Sequence, residues 1–96
     1  MNIEEFKQSI TTGQIPDSLS LYLQSLWYDA AGDWQQAHDL VDQRSDQLSA
    51  RIHAYLHRKE GDQSNADYWY RQSREPKPSV SLDEEWEALV TQLLDL

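Results

Sequence analysis

The sequence has no cysteine, only three glycines and three prolines, and a single phenylalanine and methionine. Without cysteine there is no disulfide framework, thiolate nucleophile or cysteine-based zinc site, which favours a reducing, cytoplasmic location. The glycines are isolated from one another, so the chain has no glycine-rich phosphate loop. No long apolar run occurs, and the N-terminal segment MNIEEFKQ is acidic. We therefore expect neither a signal peptide nor a membrane span.

Basic side chains are also scarce: eight Lys and Arg stand against 17 Asp and Glu, a net charge of −9. This balance disfavours nucleic acid and anionic membranes as partners. The charge is uneven, because residues 51–77 hold six basic and four acidic side chains and the rest holds two and thirteen. The locally positive stretch is either a functional face or a solvated surface with local ion pairs.

Large aromatic side chains, in contrast, are abundant: the 96 residues include four Trp and five Tyr. We expect them to form one hydrophobic core in a single domain spanning residues 1–96. Helical spacing of apolar residues dominates, and no strand-like alternation of useful length appears. We predict an all-α fold of about six helices. Their expected ranges are Ile3 to before Gly13, Ser18–Ala31, Asp33–Arg44, Ser45 or Asp46 to Glu60, Asp62–Arg74 and, after a Pro-rich linker, 82–95.

The predicted fold is organised around two Gly-Asp corners, at Gly32-Asp33 and at Gly61-Asp62, 29 residues apart. Each Gly would end one helix in a left-handed conformation, and each Asp would cap the next helix. An alanine follows each corner at the same offset, as Ala37 and Ala66. The sequence therefore contains an internal repeat of helix, corner and helix.

This pattern resembles the second half of a tetratricopeptide repeat, over roughly residues 18–76. The resemblance implies two antiparallel helical hairpins, flanked here by N- and C-terminal helices, and a protein-binding groove lined by the first helix of each hairpin. The chain departs from the family in its 29-residue period, against the usual 34, and in having only two copies. Leu21 and Ala50 also stand where the family's early Trp would be. The run from His53 to Arg71 resembles small bacterial proteins of unassigned function, which implies a fold and no activity.

Two histidines, His53 and His57, lie one helical turn apart and so share a face. Such a pair can bind a metal ion, but Ala54 stands where the Glu of a H-E-x-x-H motif would be. A third ligand would have to come from the preceding helix, where the candidates are His38, Asp39 and Asp42. The alternative is that both histidines are hydrogen-bonded packing residues between helices.

A binding face is predicted on the fourth helix, where Arg51, Tyr55 and Arg58 fall at i, i+4 and i+7. The tetratricopeptide resemblance places Lys59, and Tyr22 of the second helix, in the same groove. Arginine forks hold carboxylates, so an acidic peptide segment is the expected ligand. Alternatively these arginines are ordinary surface residues and Tyr55 is core, or the terminal helix itself fills the groove.

No residue set specifies a reaction, because no carboxylate pair and no nucleophile elbow stands out. We therefore expect no catalytic residue and no cofactor. The leading hypothesis is a non-enzymatic protein-interaction module, monomeric or homodimeric, with an unidentified protein or peptide partner. The alternative is a helical metal-binding protein, or a small metal-dependent hydrolase, that uses His53 and His57 with His38.

Overall fold

Six α-helices and no strand make up the structure, a computed structural model that describes all 96 residues. The predicted all-α class with six helices is therefore confirmed. The helices are α1 (Ile3–Thr12), α2 (Leu21–Ala30), α3 (Trp34–Val41), α4 (Gln47–Glu60), α5 (Gln63–Ser73) and α6 (Leu82–Leu94). No helix combines the length and the hydropathy that a membrane crossing would need.

Local side-chain caps set most of the helix ends. Asn2 and Glu5 form a capping box at the start of α1, and Ser81 forms another at the start of α6. At the second corner Gly61 has φ +88°, and the Asp62 carboxylate accepts from the Asn65 N–H. The left-handed region is unfavourable for residues with a Cβ, so glycine is the residue best suited to this position. The corner is confirmed as predicted.

Two helices are shorter than expected because caps and loops intervene. Helix α2 begins at Leu21, not Ser18, since Ser18 has a left-handed φ of 65° and the Ser20 hydroxyl caps the helix. Helix α3 ends at Val41, three residues before the predicted Arg44. The segment between Thr12 and Ser20 is consequently a loop that leads from α1 into the first hairpin.

The helices α2–α3 and α4–α5 pack as two successive hairpins joined by the Gly-Asp corners. In the first, the Ser25 hydroxyl donates to the Ala37 carbonyl at 2.8 Å, and both residues are fully buried. The second has Ala54 and Ala66 at the same two positions, again fully buried. Small side chains at these positions let the paired helices approach closely.

Helix α6 returns to pack against α1, α2 and α4. Its Leu89, Val90 and Leu93 are buried, as the apolar stripe predicted. The Trp86 indole contacts Phe6 at 5.9 Å between ring centres, and its Nε1–H donates to the Leu26 carbonyl at 3.0 Å. The main apolar core therefore draws on both ends of the chain, and α4, buried from Ser49 to His57, runs through its centre.

Candidate metal centre

The three histidines of the chain meet where α3 crosses α4. His38 comes from α3, and His53 and His57 come from α4. The Nε2 atoms of His38 and His53 are 3.0 Å apart, and one ligand nitrogen from each ring lies within 4.8 Å of the others. His53 and His57 are buried, and His38 is half-buried. The structure thus brings His38 to the pair that the sequence singled out.

Two indole rings wall the cluster. Trp34 of α3 stacks on His38 at 4.9 Å between ring centres, and Trp69 of α5 stacks on His53 at 4.1 Å. The Trp34 indole is itself fixed, because its Nε1–H donates to the Leu56 carbonyl at 2.9 Å. The imidazoles are therefore held in place by ring packing on both sides. In the sequence these tryptophans are recognisable only as core residues, because their positions beside the histidines follow from the helix crossing.

A carboxylate completes the cluster on its solvent side. Asp42 lies one turn beyond His38 on the same face, with Oδ1 3.7 Å from the His38 Nε2 and 4.0 Å from the His53 Nε2. Asp39, the other acidic candidate on this segment, is exposed and accepts a hydrogen bond from Gln35. Of the candidate third ligands, His38 and Asp42 reach the pair.

The hydrogen bonds of the cluster are unevenly satisfied. His57 donates from Nδ1 to the Glu60 carboxylate at 2.6 Å, which leaves its Nε2 free to ligate. The Nδ1 atoms of His38 and His53 are buried and have no partner. Only His57 therefore has the second partner that metal-bound histidines usually have. The His57–Glu60 spacing of about one helical turn is visible in the sequence and would have predicted this hydrogen bond.

Charge is disfavoured inside this cluster. Burial, and then the neighbouring imidazoles of His38 and His57, lower the pKa of His53 from 6.5 to about 4, although Asp42 acts in the opposite direction. His53 is accordingly neutral at pH 7, and a neutral imidazole is the form that binds a metal ion. Three adjacent imidazoles and one carboxylate are a donor set suited to a divalent transition metal.

The spacing of the nitrogens also suits a metal ion. A tetrahedral zinc site with Zn–N bonds of about 2.05 Å requires donor atoms about 3.3 Å apart. The 3.0 Å separation of the His38 and His53 Nε2 atoms is already near this value, while His57 and Asp42 lie somewhat further out. The His38 and His53 Nε2 atoms are therefore close enough to share one ion.

The residues predicted to bind an acidic peptide lie elsewhere, and each already holds a carboxylate of this chain. Arg51, Arg58 and the buried Tyr70 all donate to Glu85 of α6, at 2.6–2.7 Å. The other contacts are Tyr55 and Lys59 with Asp29, both at 2.9 Å, and Tyr22 with Asp46 at 2.7 Å. Burial and Asp29 raise the pKa of Tyr55, so its hydroxyl stays a donor.

The expectation of an open groove on this face is therefore wrong. Arg51 is 7% exposed and Tyr55 is 2% exposed, because α6 lies over them and inserts Glu85, itself 1% exposed. The predicted chemistry, arginine forks on a carboxylate, is present, but the carboxylate is internal. Binding of a separate acidic segment by these five residues stays a prediction that would require α6 to leave.

No protein-family model, curated protein or solved structure matches the chain. The geometry of the chain's own side chains is therefore the basis on which a function is proposed.

Proposed function

We propose that the protein is a helical metal-binding domain in which His38, His53 and His57 ligate one divalent transition-metal ion. The main support for this proposal is that all three imidazoles, which come from two helices, meet at a buried helix crossing. As plain packing residues the His38 and His53 rings share a single hydrogen bond between their Nε2 atoms. A metal ion would instead accept the Nε2 lone pairs of both rings, whereas their buried Nδ1 atoms have no partner in either case.

Zinc is the ion that best fits this donor set, with Asp42 as the fourth ligand. Imidazole and carboxylate donors suit Zn²⁺, and Zn²⁺ accepts the tetrahedral geometry that two crossing helices can offer. Asp42 is half-exposed, so an incoming ion can reach the site from the solvent side. Cu²⁺ and Ni²⁺ also bind imidazole, and competition among these ions is part of the test.

A structural role for the metal is favoured over a catalytic one. None of the five surface clefts is lined by His38, His53 or His57, so a substrate larger than water has no cavity beside them. An ion at this position would link α3 to α4 across the hairpin boundary. We therefore propose a non-enzymatic domain whose fold the metal stabilises.

The test is metal uptake by the full chain after removal of bound metal with a chelator. Titration with Zn²⁺ in a calorimeter, followed by dialysis and elemental analysis, should give one ion per chain. Asp42→Asn should weaken binding about tenfold, whereas Asp39→Asn, a matched change on the same helix outside the cluster, should not. His38→Gln should abolish the stoichiometric site. Failure of Zn²⁺, Cu²⁺ and Ni²⁺ to bind at one equivalent would reject the proposal.

A second candidate is the interaction module implied by the tetratricopeptide resemblance. The observation that favours it is the pair of hairpins with small residues at matching positions, Ser25 and Ala37 in one, Ala54 and Ala66 in the other. In this proposal the domain acts in the cytoplasm as a monomer or homodimer and binds a protein partner. Because Glu85 of α6 already pairs with Arg51 and Arg58, a partner would either displace α6 or use another surface. Light scattering of the purified chain would determine the oligomeric state.

A further inference from the structure

The unpaired basic side chains of the protein are gathered in one place. Of its eight Lys and Arg residues, five form ion pairs within the chain. The other three are Arg71, Arg74 and Lys77, which are exposed and have no carboxylate within 4.0 Å. All three line a single open cleft of about 370 Å³ at the C-terminal end of α5. We call this the α5 cleft; its other lining residues are Asp67, Tyr70, Glu75 and Pro76.

The two carboxylates of the α5 cleft already have partners. Glu75 lies 3.5 Å from the Arg51 guanidinium, and Asp67 accepts a hydrogen bond from Gln63 at 2.7 Å. The side chains of Arg71 and Arg74 make no hydrogen bond within the protein, and Lys77 contacts only Gln63, at 3.4 Å. The cleft therefore presents two free guanidinium forks and an ammonium group to solvent in a chain of net charge −9.

The backbone at Arg74 gives a second, independent indication. Arg74 ends α5 with φ 63°, in the left-handed region where Gly13 and Gly61 stand at the ends of α1 and α4. A residue with a Cβ is disfavoured there, and such strain is often retained where the side chain has a role. The following Pro76 restricts the chain beyond it. Arg74 and Arg71 both line the cleft.

We infer that the α5 cleft binds a short acidic segment of a partner protein, with Arg71 and Arg74 each paired to a carboxylate. Arginine recognises carboxylates through two parallel hydrogen bonds, and Lys77 adds attraction at longer range. The strongly acidic remainder of the surface repels extended polyanions, so a peptide with a few carboxylates is favoured over nucleic acid. This inference deepens the second candidate function and does not depend on the metal centre.

The experiment measures fluorescence anisotropy of a labelled octapeptide with alternating Glu and Ala, against the same peptide with Gln in place of Glu. The wild-type chain should bind the Glu peptide at least tenfold more tightly, and the difference should shrink as salt rises. Arg71→Ala and Arg74→Gly should each weaken binding by about tenfold. Glycine suits the left-handed position, so Arg74→Gly removes the side chain without adding backbone strain.

Two controls separate the possible failures. Arg44→Ala removes an exposed arginine elsewhere on the chain and should leave affinity unchanged. His38→Gln should abolish metal uptake while peptide binding persists. Equal binding of the Glu and Gln peptides, or equal losses in Arg44→Ala and Arg71→Ala, would overturn the inference. Tighter binding of a phosphoserine peptide, or a dimer that dissociates on Arg71→Ala, would reassign the cleft to phosphate or to a second copy.

Discussion

The Nε2 atoms of His38 and His53 lie 3.0 Å apart although the two residues belong to different helices. At this distance both rings cannot be protonated without strong repulsion, and in the metal-free protein one ring must donate to the other. A divalent ion between them removes this conflict, since both nitrogens then act as donors of electron pairs. The pair is therefore both the reason to expect a metal and the most sensitive place to test for it.

Acid should destabilise the metal-free protein through His53. The pKa of His53 is about 4 in the folded chain and about 6.5 in the unfolded chain, so the unfolded state binds more protons between these values. Stability is then complete above about pH 6.5 and falls as the pH drops towards 4, by up to about 3 kcal/mol. Urea denaturation at several pH values would measure this slope, which should be much smaller in His53→Gln. An NMR titration midpoint for His53 near 6.5 would contradict the prediction.

Glu85 should be among the most sensitive positions for stability. Glu85→Ala would leave the partly buried charge of Arg58 without a carboxylate and the buried charge of Arg51 with only Glu75, at 3.5 Å, and breaking a buried ion pair typically costs about 3–5 kcal/mol. Glu87→Ala on the same helix removes only an exposed pair with Lys7 and should cost less than about 1 kcal/mol. Chemical denaturation of the two variants gives the comparison. Similar losses of unfolding free energy in the two variants would mean that the buried contacts of Glu85 with Arg51 and Arg58 contribute little to stability.

Tyr22 should stabilise the start of α4 through Asp46. Desolvation raises the pKa of Asp46, but hydrogen bonds from Tyr22 and Ser49 outweigh it and bring the value to about 2. Tyr22→Phe removes one of these bonds, so we expect a loss of about 1 kcal/mol and a higher Asp46 pKa. Tyr28→Phe is the matched control, because the Tyr28 hydroxyl bonds to no protein group. Thermal unfolding measures the loss of stability, and an NMR titration measures the pKa of Asp46. An unchanged Asp46 pKa in Tyr22→Phe would contradict the predicted hydrogen bond.

Opposite effects are expected at two left-handed helix ends. Gly61→Ala should destabilise by about 1 kcal/mol through the backbone alone, since a Cβ there meets no atom within 4 Å. Arg74→Gly should stabilise by a similar amount, because it relieves the same conformational penalty. Melting temperatures of the two variants would show shifts of opposite sign. A destabilised Arg74→Gly would indicate that the Arg74 side chain contributes to the fold.

The helices could be predicted because their signals are local. The Asn2–Glu5 box and the Gly61 corner each lie within a few consecutive residues, the apolar stripe of α6 lies within one helix, and the structure reproduces them. Loop geometry was harder, and Ser18 was assigned to a helix because nothing in its neighbours indicates a left-handed residue.

The candidate binding face and the histidine cluster were harder to predict, because both are formed by segments that are distant in the sequence. Arg51 pairs with Glu85, which is 34 residues away in the sequence. The charges along the sequence do not show which carboxylate pairs with which arginine. The sequence therefore predicted a ligand-binding face on α4, whereas in the structure Glu85 already pairs with its arginines. His38 was one of three candidates for the third ligand, because its distance from His53 depends on how α3 crosses α4. Periodicity places residues on a face, but it does not fix the crossing.

The buried Glu85 also determines where α6 sits along its own axis. Apolar helix surfaces tolerate sliding by one turn, because one leucine can replace another in the same hollow. Here a shift of four residues would put Ser81 or Leu89 opposite Arg51 and Arg58, leaving Arg58 without a carboxylate and Arg51 with only Glu75, at 3.5 Å. We expect this penalty to exclude the shifted arrangements, so that the C-terminal helix has a single axial register and the chain a single native packing.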